Sequence, residues 1–356
     1  MEKCVVWGMV LNPSFIVFFV MSLLGTILVL LSSGLLGMWI CLELGFFGFI
    51  PLLNGKTVGE NESAVKYFVV QSIGSGLLLF SFLIISGDYL MLEVSSTQRV
   101  LSEIVMVLGF MVKLGVFPMH FWFPSVMSSA SWLSCFWLSI TQKLGPFWAL
   151  GGLGLSGMVL SGLMSAMVFT SVVGAFGGLA QVQFRPLLAY SSLGQTGWIG
   201  LVVMLSSELF LYYIVLYSLL LVGLLLGLNS LNSYSVSSVA GWGLGKGLLF
   251  WLFSCSFFIS LSGLPPLAGF AMKLLGVLLL AAQYPLYLFI LIGTSMVSLY
   301  YYLSMFISSV VYVGGSKFVV SDGVVVGSVG GFLIVFGIMN WLGGLPMFML
   351  SAVLVL

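Results

Sequence analysis

Apolar residues run along this chain in long stretches, and polar residues gather in the short links between them. Eleven stretches stand out, at residues 13–31, 34–53, 65–86, 101–123, 129–148, 163–181, 187–205, 209–229, 248–281, 286–312 and 324–345. Most match the ~20 residues that a helix needs to cross a bilayer. Hydrocarbon offers the backbone no hydrogen-bond partner, so spans of this kind are helices. Two stretches carry breaks, near Pro118 in 101–123 and near Pro265 in 248–281. A proline inside a helix removes a backbone hydrogen bond and clashes with the preceding turn, so each of these spans is expected to be discontinuous. The pattern predicts an all-α polytopic membrane protein with about eleven transmembrane helices, two of them broken.

Composition agrees. Over 356 residues the chain is 61% hydrophobic and 5% charged, against about 25% charged in a soluble domain. Residues 1–356 therefore read as a single transmembrane domain. A net charge of +1 leaves no electrostatic footprint for nucleic acid. Loop charges supply an orientation. With eleven spans, Lys3, Lys56, Lys66, Arg185, Lys246 and Lys317 fall on the side of the N-terminus, and Arg99 alone falls on the other. That asymmetry is what the positive-inside rule expects. The N-terminus, MEKCVVWGMV, carries Glu2 and runs straight into the first span, so no cleavable targeting segment is expected. The cysteines, Cys4, Cys41, Cys135 and Cys255, form no C-x-x-C pair, which argues against a disulfide framework or an iron–sulfur site.

Four charges remain inside the spans: Glu43, Lys113, Lys143 and Lys273. Each costs on the order of 2.5–3.5 kcal/mol at the bilayer centre, so pairing, cavity water or loss of charge must offset them. Lys113 precedes a Gly115/Pro118 break, and Lys273 follows a Gly263/Pro265/Pro266/Gly269 break, about 147 residues further on. Gly/Pro-interrupted spans in corresponding positions of two halves point to an ion site in transporters. The halves 34–148 and 163–312 are accordingly expected to be two inverted repeats of five helices each.

Lysine suits a proton relay. Desolvation works against its charged form, and a nearby carboxylate restores it. Glu43 is the one mid-span acid, and Lys113 is its expected partner; a static ion pair that only fixes helix packing is the alternative. His120, just past the Pro118 break, either passes protons or hydrogen-bonds a freed carbonyl. Thr141, Gln142 and Gly145 are expected to hold water around Lys143, and Ser191, Ser192, Gln195 and Thr196 make the seventh span unusually polar. Gly174–Gly178 reads as close helix packing. One histidine without a cluster of acids or thiols leaves a metal site unsupported. Dinucleotide and phosphate-binding glycine motifs are missing, so no cofactor is expected on this chain.

The segments VKLGVFPMHFWFPSV, TQKLGP, LAQVQFRPLLAYSSLGQTGW and LSGLPPLAGFAMK, in this order and spacing, resemble the chain 2 family of mitochondrial NADH–ubiquinone oxidoreductase. These are antiporter-like subunits in the membrane arm of respiratory complex I. The resemblance covers nearly the whole chain. It implies a proton-translocating unit of a respiratory-chain enzyme, with NADH, FMN, iron–sulfur clusters and ubiquinone handled by other subunits. It implies an ion pair at Glu43 and Lys113, a central lysine at Lys143, a second broken-helix lysine at Lys273 and the family histidine at His120. Neighbouring membrane-arm subunits, accessory subunits and lipids such as cardiolipin are the implied partners. The implied location is the mitochondrial inner membrane, with the N-terminus on the matrix side. The chain departs from the family pattern at Ser125, where an acid is usual, at Gln195, where a histidine is usual, and at Arg185-Pro186, where a basic pair is usual. A stand-alone cation/proton transporter and a structural membrane scaffold remain as rival readings.

Overall fold

The computed structural model describes residues 13–89, 96–230, 235, 256–265, 267–315 and 328–343. Lys3, Lys246, Lys317, Cys4, Cys255, Pro266 and the start of the ninth expected span lie outside them. Two compact units divide the chain, Met1–Met167 and Val168–Leu356.

The first unit contains α1 (Pro13–Leu31), α2 (Leu35–Leu53), α3 (Val58–Tyr89), α4 (Ser96–Leu114), α5 (Trp122–Ser129), α6 (Trp132–Ser139) and α7 (Thr141–Gly151). Helix α8 (Gly157–Leu179) runs across the division. The second unit continues with α9 (Phe184–Leu205), α10 (Ser207–Ser230), a helical stretch over 256–262, α11 (Gly269–Gln283), α12 (Pro285–Gly315) and α13 (Ser328–Leu342). Among the described residues the only β-type pairing is an isolated bridge between Gln183 and Ser235. Among the described residues, seven helices are long and apolar enough to cross a membrane: α1, α2, α3, α8, α9, α10 and α12. The chain is thus an all-helical membrane protein.

Three of the other four expected spans are interrupted, and the eleventh, 324–345, is described over 328–343, where it forms the 15-residue α13. The stretch 101–123 divides into α4, an irregular segment at 115–121 and the start of α5, with Gly115 at φ +70° and a cis bond before Pro118. The stretch 248–281 breaks after residue 262, with Gly263 at φ +82°. Glycine carries no Cβ and adopts this left-handed backbone without strain. A third interruption was not expected. The stretch 129–148 divides at Ile140, which has φ −120° and ψ −67°. The hydroxyls of Ser139 and Thr141 donate back to the Cys135 and Trp137 carbonyls, both at 2.6 Å. Such bonds to the residue four earlier compete with the helical ladder and bend it.

Small residues let helices approach closely. A Cβ on Gly25 of α1 would run into the backbone of Gly45 on α2, and one on Gly48 would meet the Ser22 nitrogen at 2.6 Å. In the second unit, a Cβ on Gly174 of α8 would meet the Gly194 nitrogen of α9 at 2.5 Å, the close packing that its glycine-rich stretch predicts. This is how membrane helices pack where lipid is as apolar as leucine. Helix α9, polar for a span, is also the most buried of the seven, so its serines and Gln195 face protein and not lipid.

Gly25→Ala should destabilise the protein by about 1–3 kcal/mol, the usual cost of overpacking. Gly34→Ala, where nothing lies within 4 Å, is the control. A lower thermal midpoint for the first variant alone checks the claim.

Candidate functional site

In the first unit the structure brings Glu43 and Lys113 together. Glu43 stands in the middle of α2 and Lys113 in the last turn of α4, both buried. Lys113 Nζ donates to Glu43 Oε1 at 2.8 Å. One other ion pair occurs among the described residues, the exposed Lys66–Glu62 pair within α3. The break explains why a lysine can sit at this depth with a free reach. Helix α4 ends at Leu114, where Gly115 N donates to the Val112 carbonyl at 3.3 Å and Val116 N to the Met111 carbonyl at 2.9 Å before the regular ladder stops. Gln71 Nε2 donates to the Lys113 carbonyl at 3.1 Å, and Trp122 Nε1 donates to the Val112 carbonyl at 3.0 Å. Side chains thus add donors where the regular ladder stops.

A cavity of about 20 Å³ adjoins Lys113, lined also by Gln71, Thr26, Cys41, Thr141 and Gln142. That is room for one water molecule. Thr141, Gln142 and Gly145, expected around Lys143, line this Lys113 cavity. Gln142 is held firmly: Tyr67 donates to its Oε1 at 3.0 Å, and its Nε2 donates to Ser22 Oγ at 3.3 Å and the Gly45 carbonyl at 3.4 Å.

Lys143 lies buried in α7, three residues past the Ile140 break. Its Nζ sits 4.2 Å from the centre of the Phe123 ring, a cation–π contact. Helix α7 packs against α1, α2 and α4, which carry the Lys113 cavity. His120 is buried in the 115–121 segment among aromatic rings, 4.0 Å from that of Phe121 and 6.0 Å from that of Phe117. It does not line the Lys113 cavity.

The second unit holds a related arrangement around Lys273 on α11. Lys273 is buried, and its Nζ donates to the Ser262 carbonyl at the end of the 256–262 helix. A second cavity of about 20 Å³ adjoins it, lined by Ser191, Gln195, Thr294, Ser298 and Tyr302 among others. Among the described residues no carboxylate pairs with Lys273. Gln195 Nε2 donates to the Leu261 carbonyl at 3.4 Å, and Tyr213 donates to Gln195 Oε1 at 2.7 Å. Ser192 and Thr196 do not reach the cavity; they donate to carbonyls of their own helix.

Sequence reasoning missed the break at Ile140, the Phe123 contact, and the roles of Gln71, Tyr67 and Tyr213. A Ser-Ile-Thr run just before Lys143 was the available sign of the first. The aromatic and amide partners lie too far away in sequence to be paired without coordinates.

Lys113→Met should destabilise the protein by about 3–5 kcal/mol, since it leaves a buried carboxylate without its partner. Glu43→Gln combined with Lys113→Met should recover much of that loss. Thermal unfolding of the two variants side by side tests both statements.

Comparison with known proteins bears on the arrangement. The family described as "NADH:quinone oxidoreductase/Mrp antiporter, TM" matches residues 32–299, a range containing all five candidate residues. NADH-ubiquinone oxidoreductase chain 2 of Lumbricus terrestris is 34% identical over 294 residues, 81% of this chain and 84% of the relative. A chain of respiratory complex I from Thermus thermophilus superposes with a TM-score of 0.79 at 24% identity, covering 94% of this chain and 80% of that one. A chain of the Mrp complex from Dietzia superposes with a TM-score of 0.70 at 16% identity, covering 94% and 76%. The two structures share the fold, and the sequence matches carry the kinship: this chain belongs to the NADH:quinone oxidoreductase/Mrp antiporter transmembrane family, alongside the NADH-ubiquinone oxidoreductase chain 2 proteins.

Proposed function

We propose that this chain is an antiporter-like subunit of the membrane arm of respiratory complex I, and that it moves protons through buried lysines. Redox chemistry in other subunits drives the movement, and the chain itself binds no NADH, flavin, iron–sulfur cluster or ubiquinone. The observation that carries the reading is the Glu43–Lys113 pair, buried at 2.8 Å beside a cavity of water size.

The pair works as a switch on proton affinity. With Glu43 in contact, the ammonium form of Lys113 is favoured. When Glu43 draws away, desolvation alone acts on the amine, and the proton leaves. Lys143, held over a ring and on a helix packed against α4, is the next acceptor. Lys273 repeats the broken-helix design further along the chain. His120 is an accessory to this row, because its aromatic surroundings keep it off the Lys113 cavity.

The finer architecture belongs to the same proposal. The chain forms one transmembrane domain of eleven spans, with halves 34–148 and 163–312 as inverted repeats. The repeated break geometry supports this: each has a left-handed glycine two residues after a carbonyl that a glutamine amide holds. Localisation is the mitochondrial inner membrane with the N-terminus on the matrix side, in keeping with the bias of basic residues. The partners are neighbouring membrane-arm subunits, accessory subunits and lipids.

Lys143→Met in the assembled complex should abolish most proton transport coupled to NADH oxidation. Proton uptake by inverted membrane vesicles, recorded together with NADH consumption, measures it. Wild-type rate and stoichiometry in this variant and in Lys113→Met would sink the reading.

A further inference from the structure

Gln71 and Gln195 are buried, uncharged, and outside the row of groups that bind protons. Each stands at the lip of one break and makes the same two contacts. Its Nε2 donates to the carbonyl two residues before a left-handed glycine: Lys113 before Gly115, Leu261 before Gly263. Its side chain also lines the cavity of that unit's broken-helix lysine, Lys113 or Lys273.

A primary amide has two hydrogens to donate. The carbonyl engages one, and the other remains for the cavity. At Gln195 the orientation of the amide is set from behind. The Tyr213 hydroxyl donates to Oε1, so the NH₂ group is the part that meets Leu261 and the cavity.

The cavity beside Lys273 has room for one water. A water accepting from the Gln195 amide keeps one lone pair for the lysine ammonium. Both its hydrogens then point to acceptors beyond, and the hydroxyls of Ser191, Thr294, Ser298 and Tyr302 line that wall. In the transfer the ammonium gives its proton to the lone pair of the water, and the water passes one of its own hydrogens to a hydroxyl oxygen. Lys273 is left a neutral amine, the water is restored, and the excess proton has moved to the hydroxyl side. The amide neither gains nor loses a proton.

We propose that Gln71 and Gln195 are positioning residues for proton transfer at Lys113 and Lys273. Each orients a cavity water with the amide hydrogen left over from its carbonyl contact, and Tyr213 fixes the orientation of the second. The role weighs most at Lys273. The buried titratable groups on the helices packed against α11 are tyrosines, Tyr213 and Tyr217 on α10 and Tyr301 and Tyr302 on α12. Glu208, at the start of α10, is exposed. At Lys113, by contrast, Glu43 shares the work.

The proposal rests on the proton-transport reading above, and the test separates the two. Gln195→Met, Tyr213→Phe and Lys273→Met are compared in the assembled complex by the rate of NADH-driven proton transport in H₂O and in D₂O. Gln195→Met should slow transport about fivefold, the factor that losing one ordinary hydrogen bond is worth. It should also raise the solvent isotope effect, because proton transfer at Lys273 becomes the slow step. Tyr213→Phe, which removes one oxygen and so threatens folding least, should shift both readouts in the same direction by less. A merely structural role predicts less assembled complex with an unchanged isotope effect per complex, and that result overturns the proposal. Wild-type behaviour of Gln195→Met and Tyr213→Phe, with Lys273→Met impaired, overturns it while leaving proton transport by this chain intact. Wild-type behaviour of all three overturns both at Lys273.

Discussion

The contact between Lys113 Nζ and Glu43 Oε1 sets the terms for much of the first unit, because neither charge can stay at this depth without the other. Holding them 2.8 Å apart requires α2 and α4 to be fixed relative to each other, and the surrounding helices supply that. Close approach of α1 and α2 at Gly25 and Gly45 fixes Glu43 from one side. Packing of α3 on α4 fixes Lys113 from the other, where the Lys113 stem lies close to Gly74. The ion pair is therefore weak evidence of stability in itself and strong evidence of a constraint on geometry.

A second constraint runs through both units. Ending a helix inside a membrane exposes carbonyls to a medium that cannot bond them. The chain meets this at each break with side chains and not with water alone. Gln71 and Trp122 take the carbonyls of α4, while Gln195 and Lys273 take those of the 256–262 helix. The two solutions differ in one respect that matters chemically. At the second break the lysine itself is one of the donors, so any change in its charge also changes how the break is held.

Much of this was legible beforehand, for a physical reason. Hydrocarbon imposes length and composition on every span, so most helices follow from the apolar pattern, α1 to the residue. The same solvent makes a buried charge conspicuous, which is why Glu43, Lys113, Lys143 and Lys273 stood out and why Glu43 had to find Lys113. Legibility ended where neutral groups decide geometry. Nothing in local sequence ties Gln195 to Tyr213, or Lys143 to Phe123, because an amide or a ring is not costly enough in a span to demand a partner. That Thr141 and Gln142 line the Lys113 cavity was hidden for the same reason: their position along α7 does not reveal which way the Ile140 interruption turns them.

The adjacent residues Trp122 and Phe123 lie on the first turn of α5. Trp122 holds the carbonyl next to Lys113, and Phe123 lies against the ammonium of Lys143. One dipeptide thereby touches the surroundings of two ionisable residues thirty apart in sequence, the first through a neighbouring backbone carbonyl and the second through its ammonium. Any pivot of that short helix would act on both contacts at once, as a rocker arm does on its two ends.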